Sequence, residues 1–242
     1  MIHSDSLHNP QSTLKASHAK VARLFLIRHG EPRQHSDRIF LGQTDIPLSE
    51  RGRDEAVAAG DELMRLKCTP DRVYSSDLLR ARETAEIISV RLSRISQYCR
   101  DAMPCVSTSS AQHKESGIGG APIVDVPAFR ELNMGDWDGE IIEDIRRRSP
   151  EEYLKRGENI LSYRVTGGEN FYDLRERVIR EFQRITREEF FPAQRAGGSC
   201  DLVIVSHLGV IHTLIAELTR EDMSVVMRQR WPTGSVVQLN EF

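Results

Sequence analysis

The sequence lacks the features that would place it in several large classes of protein. It has 4 cysteines (Cys68, Cys99, Cys105 and Cys200), and no two of them form a CxxC pair. That spacing offers neither a zinc-type ligand set nor a disulfide framework, and it reads as free thiols in a reducing cytoplasm. No apolar run approaches the roughly 18 residues that mark a membrane-spanning helix. A formal net charge of -3 gives no reason to expect nucleic acid or an anionic membrane as partner. No internal repeat is present, and no feature specifies an oligomeric state. The opening MIHSDSLHNPQSTLKASHAK has no apolar core, so 1–20 reads as a flexible leader and not as a signal peptide. His3, His8 and His18 within it read as solvated tail residues.

What is present reads as one globular domain over 21–242. Domains usually hold roughly 100–200 residues, and α/β folds often run to about 250 as one unit. ARLFLI at 22–27 and LVIV at 202–205 are short apolar runs, as expected of strands buried on both faces. Shorter strand candidates lie at 73–74, 123–126 and 235–239. Helical spacing appears behind Ser49, an expected N-cap, in Ala56, Ala59, Leu63 and Leu66. It recurs in Leu78, Ala81, Ala85, Ile88 and Leu92, in Phe171, Leu174, Val178, Phe182 and Ile185, and in Val210, Ile211, Leu214 and Leu218. Ser149-Pro150-Glu151-Glu152 reads as a further helix start. Residues 93–122, rich in Ser, Gly, Pro and Gln, read as a loop insertion. Strands alternating with helices predict an α/β fold, a three-layer α/β/α sandwich around a mostly parallel sheet.

In such sheets ligands bind beyond the carboxyl ends of the strands. Arg28-His29-Gly30 follows the first buried run directly, and Ser206-His207 follows the second. Both imidazoles are therefore expected at one sheet edge. Arg80 follows the 73–74 strand closely and can begin near the same edge. Guanidinium forks match phosphoryl oxygens and stay charged at any working pH.

Five segments, LIRHGE at 26–31, SSDLLRARETA at 75–85, FRELNMGDWDGE at 129–140, GGEN at 167–170 and VSHLGVI at 205–211, together resemble the histidine phosphatase superfamily, also called phosphoglycerate mutase-like. The resemblance implies that His29 is the nucleophile and becomes phosphorylated. It implies that Arg28, Arg80 and His207 bind phosphate, with His207 cationic at the transition state. Glu131 matches the acid that protonates the leaving alcohol and then activates water. The substrate would be a small phosphomonoester, and no metal or cofactor is implied. Two positions depart from the family pattern. His35, or its neighbour Gln34, stands where an Asn often meets phosphate. Leu208 replaces the usual Gly after the second histidine, leaving Gly209 to offer its N–H to phosphate.

Glu31, Glu169 and Asn170 read as structural groups, and Trp137 as a packing aromatic. Hydrolysis is the expected outcome, because only 132–166 separate Glu131 from Gly167 and the form ELNMGDWDGE looks closer to small phosphatases such as α-ribazole phosphatase. Arg146, Arg147 and Arg148 in that segment point in different directions at helical spacing and read as a solvated face. The alternatives are mutase-type phosphoryl transfer back to an acceptor and a non-catalytic binding module.

Overall fold

The computed structural model describes residues 22–33, 38–102, 120–240 and 242. One sheet contains β1 (Arg23–Arg28), β2 (Val73–Ser75), β3 (Ile123–Asp125), β4 (Asp201–Ser206) and β5 (Val236–Asn240). The strand order is β3-β2-β4-β1-β5. The first four run parallel, and β5 lies antiparallel against β1.

Helices α1 (Glu50–Arg65) and α2 (Leu79–Ala102) follow β1 and β2. Two short helices, α3 (Ile142–Arg148) and α4 (Pro150–Glu158), precede the longer α5 (Phe171–Arg184). A π-helical stretch, Ile185–Phe190, leads into α6 (Phe191–Arg195). Helices α7 (Leu208–Thr219) and α8 (Met223–Val226) lie between β4 and β5.

The three layers follow from the period of two in the strands. Phe25 and Ile27 of β1 pack with Val203 and Val205 of β4 against α1 and α2. Leu24 and Leu26 pack with Leu202 and Ile204 against α5 and α7. All four β1 side chains are fully buried. Each contributes about 1.5–3 kcal/mol of hydrophobic stabilisation, which is why an unbroken apolar run can sit here.

Helix starts follow local chemistry. Ser49 caps α1, its hydroxyl accepting the Gly52 N–H at 3.0 Å. Asn170 caps α5 in a reciprocal box with Asp173.

Two expectations change. The loop expected from residue 93 is not found over 93–102, because α2 continues to Ala102. The sequence 93–102 has no Gly or Pro to stop a helix, and the first Pro stands at 104. At the other end, Ala121 accepts a bond from the Ser89 hydroxyl at 2.7 Å, and Pro122 accepts the Val73 N–H at 2.9 Å. The remainder of that segment, the leader and the Gln34–His35 pair lie outside the described residues. Helix α3, just ahead of the expected start at Pro150, has no periodic apolar face in the sequence. Only Ile145 of its residues is buried.

Among the described residues, Cys68 and Cys200 are free. No helix among them is long and apolar enough to cross a membrane.

Candidate active site

Strands β1 and β4 are neighbours, yet the helices that follow them leave to opposite faces. A crevice opens between such strands at their carboxyl ends. The pairing register is Ile27 with Val205 and Arg28 with Ser206. The next residue on each strand is a histidine, so the ladder itself sets His29 beside His207. The His29 N–H donates to Ser206 O at 2.9 Å. The two rings lie 5.0 Å apart, tilted by 57°. Both are buried, His207 completely.

His29 Nδ1 is 2.7 Å from Gly30 O. A carbonyl oxygen only accepts, so Nδ1 carries the ring proton and Nε2 holds the lone pair. Gly30 leaves no alternative at its position. A Cβ there would meet Gly52 O at 2.1 Å, so only glycine lets the loop pass the start of α1.

His207 Nε2 is 2.9 Å from the hydroxyl of Ser76. That hydroxyl also accepts the Leu78 N–H at 3.3 Å. The other ring nitrogen of His207 is Nδ1. This atom is buried and has no partner among the described residues. Burial first, then the charges of Arg80, His29, Arg177 and Arg28, push His207 well below its ordinary value. That direction favours the neutral ring, so the cationic form expected at the transition state needs an added negative charge nearby. An arriving phosphate is the group that would favour the charged ring.

Arg80, in the first turn of α2, is fully buried. Its Nη1 and Nη2 donate to Thr44 O at 2.9 Å and Gly42 O at 2.6 Å, and its buried Nε has no partner among the described residues. Asp138 grips the same loop from the other side, accepting from the N–H groups of Gly42, Gln43 and Thr44. Burial lowers the pKa of Arg80, while the charges of Glu131, Asp138 and Asp45 oppose that shift. Glu83, the obvious neighbouring acid on α2, instead pairs with Arg53 at 3.0 Å. Arg28 Nη1 donates to Trp231 O at 2.6 Å. Arg80 Nε, and His207 Nδ1 once it carries a proton, lack partners among the described residues and are what a bound oxyanion would satisfy.

Glu131 approaches from a loop without regular structure. Its Oε1 accepts the Leu132 N–H at 2.8 Å, and its Oε2 accepts the Gly209 N–H at 3.2 Å. Gly209 was expected to offer that N–H to phosphate, and here it is engaged by Glu131. The geometric reason is proximity, since a Cβ on Gly209 would lie 2.4 Å from Glu131 Oε1. Glu131 also contributes to the field at Arg80.

Sequence reasoning missed three residues near these groups: Ser76, Gln43 and Arg177. Ser76 stood inside the quoted 75–85 segment, but its partner lies 131 positions away. Two of the residues read as structural make packing or capping contacts. Glu31 accepts from the Ser49 hydroxyl at 2.9 Å, and Trp137 stacks on Phe40 at 5.6 Å. Arg146 and Arg147 pair with Glu143 and Asp144, and Arg148 pairs with Glu140 at 3.0 Å, all on exposed positions. A separate cleft of about 550 Å³ lies at the amino ends of β2 and β4, lined by Arg72, Tyr74, Glu189 and Asp201. There Glu189 is already partnered by Tyr74, Arg72 and Arg184.

Comparison with known proteins points the same way as this geometry. The chain is 27% identical over 218 residues to the 2,3-bisphosphoglycerate-dependent phosphoglycerate mutase of Chlamydia trachomatis serovar L2b, covering 88% of this chain and 91% of that protein. The mutase of Chlamydia felis is 28% identical over 216 residues, with the same coverage. Among solved structures, the alpha-ribazole phosphatase of Shigella flexneri superposes with a TM-score of 0.67 at 25% identity, covering 89% of each chain. A mycobacterial glucosyl-3-phosphoglycerate phosphatase gives 0.66 at 26% identity, covering 90% of this chain and 89% of its own. The model of the histidine phosphatase superfamily (branch 1) matches residues 24–103 and 105–241. With nearly the whole described fold inside that match, the chain belongs to the histidine phosphatase superfamily.

Proposed function

We propose that this protein is a phosphomonoester hydrolase that works through a phosphohistidine on His29. The observation that carries the reading is the in-register pairing of β1 with β4, which sets the rings of His29 and His207 5.0 Å apart. Arg28 and Arg80 supply fixed positive charge beside them. No metal is needed in this scheme, because guanidinium forks and His207 take the charge of the equatorial oxygens.

In the first step His29 Nε2 attacks phosphorus. The Nε2–P bond forms, the ester P–O bond breaks, and the departing oxygen takes a proton from Glu131. In the second step water attacks the same phosphorus and gives its proton to the Glu131 carboxylate. The Nε2–P bond breaks, and inorganic phosphate leaves with His29 restored. The Nδ1–H bond to Gly30 O keeps the correct nitrogen forward throughout. Covalent catalysis of this kind splits one hard displacement into two easier ones.

A mutase reading is favoured by one observation, the names of the relatives similar in sequence. Hydrolysis is supported by Arg146, Arg147 and Arg148, which are held in surface ion pairs and are not aimed at a substrate carboxylate. The names of the similar solved structures agree with hydrolysis. One assay separates the two. The protein is incubated with 3-phosphoglycerate and a trace of 2,3-bisphosphoglycerate, and isomerisation and phosphate release are followed together. A panel of phosphomonoesters, including α-ribazole phosphate, sugar phosphates and phosphotyrosine, is then scored for phosphate release. The hydrolase reading expects release from at least one ester with a trapped, acid-labile and base-stable phosphoenzyme. Rapid isomerisation without release overturns it.

A further inference from the structure

Arg177 on α5 belongs to none of the phosphate-binding groups, yet all five of its N–H donors are engaged. Nε and Nη2 hold the Glu169 carboxylate side-on, both at 2.9 Å. Nη1 donates to Ala128 O at 2.7 Å and to Arg130 O at 2.8 Å. The second Nη2 hydrogen goes to Glu131 O at 3.0 Å. Glu169 Oε2 in turn accepts the Asn133 N–H at 3.1 Å, closing the bracket on the far side of Glu131. Gln43 Nε2 adds a second donor to Glu131 O at 3.0 Å.

This pattern matters because residues 130–134 lie between two short 3₁₀ turns, Pro127–Phe129 and Gly135–Trp137. No ladder or helix fixes the backbone of Glu131. We propose that Arg177 is the positioning residue that sets the Glu131 carboxyl against the leaving oxygen. It gathers the carbonyls of Ala128, Arg130 and Glu131 onto one planar fork, and Glu169 fixes the orientation of that fork. Lysine cannot replace it, since an ammonium has three tetrahedral donors in place of five coplanar ones. A small shift of the loop moves a proton donor out of reach, and proton transfer depends on hydrogen-bond distance.

The inference rests on the reading of Glu131 as proton donor, and the test keeps the two apart. Arg177→Met, Arg177→Lys and Glu131→Gln are made in the full chain. For each, kcat/KM is measured on an alkyl phosphate and on p-nitrophenyl phosphate. An alkoxide needs a proton to leave, whereas nitrophenolate leaves without one. Arg177→Met is expected to lower kcat/KM about 10²-fold on the alkyl ester and to leave the nitrophenyl ester within about threefold, following the Glu131→Gln profile. The double variant is expected to fall no further on the alkyl ester than Glu131→Gln alone, since both changes remove one function. Equal losses on the two esters, or additive losses in the double variant, overturn the inference. If Arg177→Met does not fold, Arg177→Lys carries the same comparison, and full activity in that variant also overturns it. If Glu131→Gln itself shows no difference between the esters, the proton-donor reading fails, and that result is distinct from a failure of Arg177 alone.

Discussion

His29 and His207 are held by a hydrogen-bonded ladder, whereas Glu131 is held by side chains reaching it from separate segments. At the strand ends the backbone does the placing. The register of β1 and β4 fixes where each histidine starts, Gly30 O then fixes the His29 tautomer, and Ser76 holds the His207 ring. In the acid loop the backbone has no ladder, so Arg177, Gln43 and the Gly209 N–H take that role. The contrast teaches that the strand-end histidines and Glu131 are exposed to different kinds of damage. A core change must shift the sheet to move the histidines, while one side chain can move the acid.

The contrast can be broken most severely at His29. His29→Ala is expected to lower turnover of every substrate by about 10⁴-fold or more, as for the loss of other covalent nucleophiles. Steady-state phosphate release checks this, and activity surviving the change would sink the covalent scheme.

Gly209→Ala probes the acid side alone. The new methyl would lie 2.4 Å from Glu131 Oε1, so the carboxyl must move. Alkyl phosphate turnover is expected to fall about 10²-fold, within the range a general acid supplies, while inhibition by inorganic phosphate stays unchanged. Equal weakening of phosphate binding would show that the residue serves the strand-end half instead.

A smaller effect sharpens the strand-end side through pH. Burial and neighbouring cations hold His207 well below its ordinary value, and burial lowers His212 in the same direction. As pH falls through about 6.5, the unfolded chain binds protons on these rings and the folded protein does not. Their contribution to stability is therefore complete above about 6.5 and is lost on acidification. Thermal melts across that window should show a falling Tm, with a shallower fall in His207→Gln. Added phosphate should be taken up together with protons, because an anion beside His207 favours its charged form. A Tm indifferent to pH over this window would contradict the placement of His207.

The smallest effect is expected outside both halves. Arg147 pairs with Asp144 on an exposed face of α3. Arg147→Ala should change stability by no more than about 0.5 kcal/mol and leave turnover of a phosphomonoester unchanged. A selective loss of activity would reopen the view that this face grips a substrate carboxylate.

Much of the strand-end half was legible in the sequence. RLFLIR and DLVIVS announce buried strands by their unbroken apolar content, and a histidine directly after each is visible by eye. Ser49 and Asn170 were legible as structural groups at helix starts because capping is a local contact. The acid loop was legible only as a resembling motif. Neither Gln43 nor Arg177 carries a local signal, since their common partner, Glu131 O, lies 88 and 46 positions away. The continuation of α2 past residue 93 was obscured by composition, because Ser, Gly and Pro further along coloured the whole segment.

By itself, then, the sequence determined the alternation of strands and helices and the residue types at the strand ends. These follow from short-range physics: burial of apolar runs, capping, and the limits that Gly and Pro place on the backbone. Only the tertiary structure decided that β4 inserts between β2 and β1, which makes two distant histidines neighbours. It also decided that the Gly209 N–H serves Glu131, and that His207 sits against Ser76. The physical reason is range. Pairing register, burial of a charge and a shared guanidinium fork depend on contacts between segments far apart in the chain, and no local pattern encodes where those segments meet.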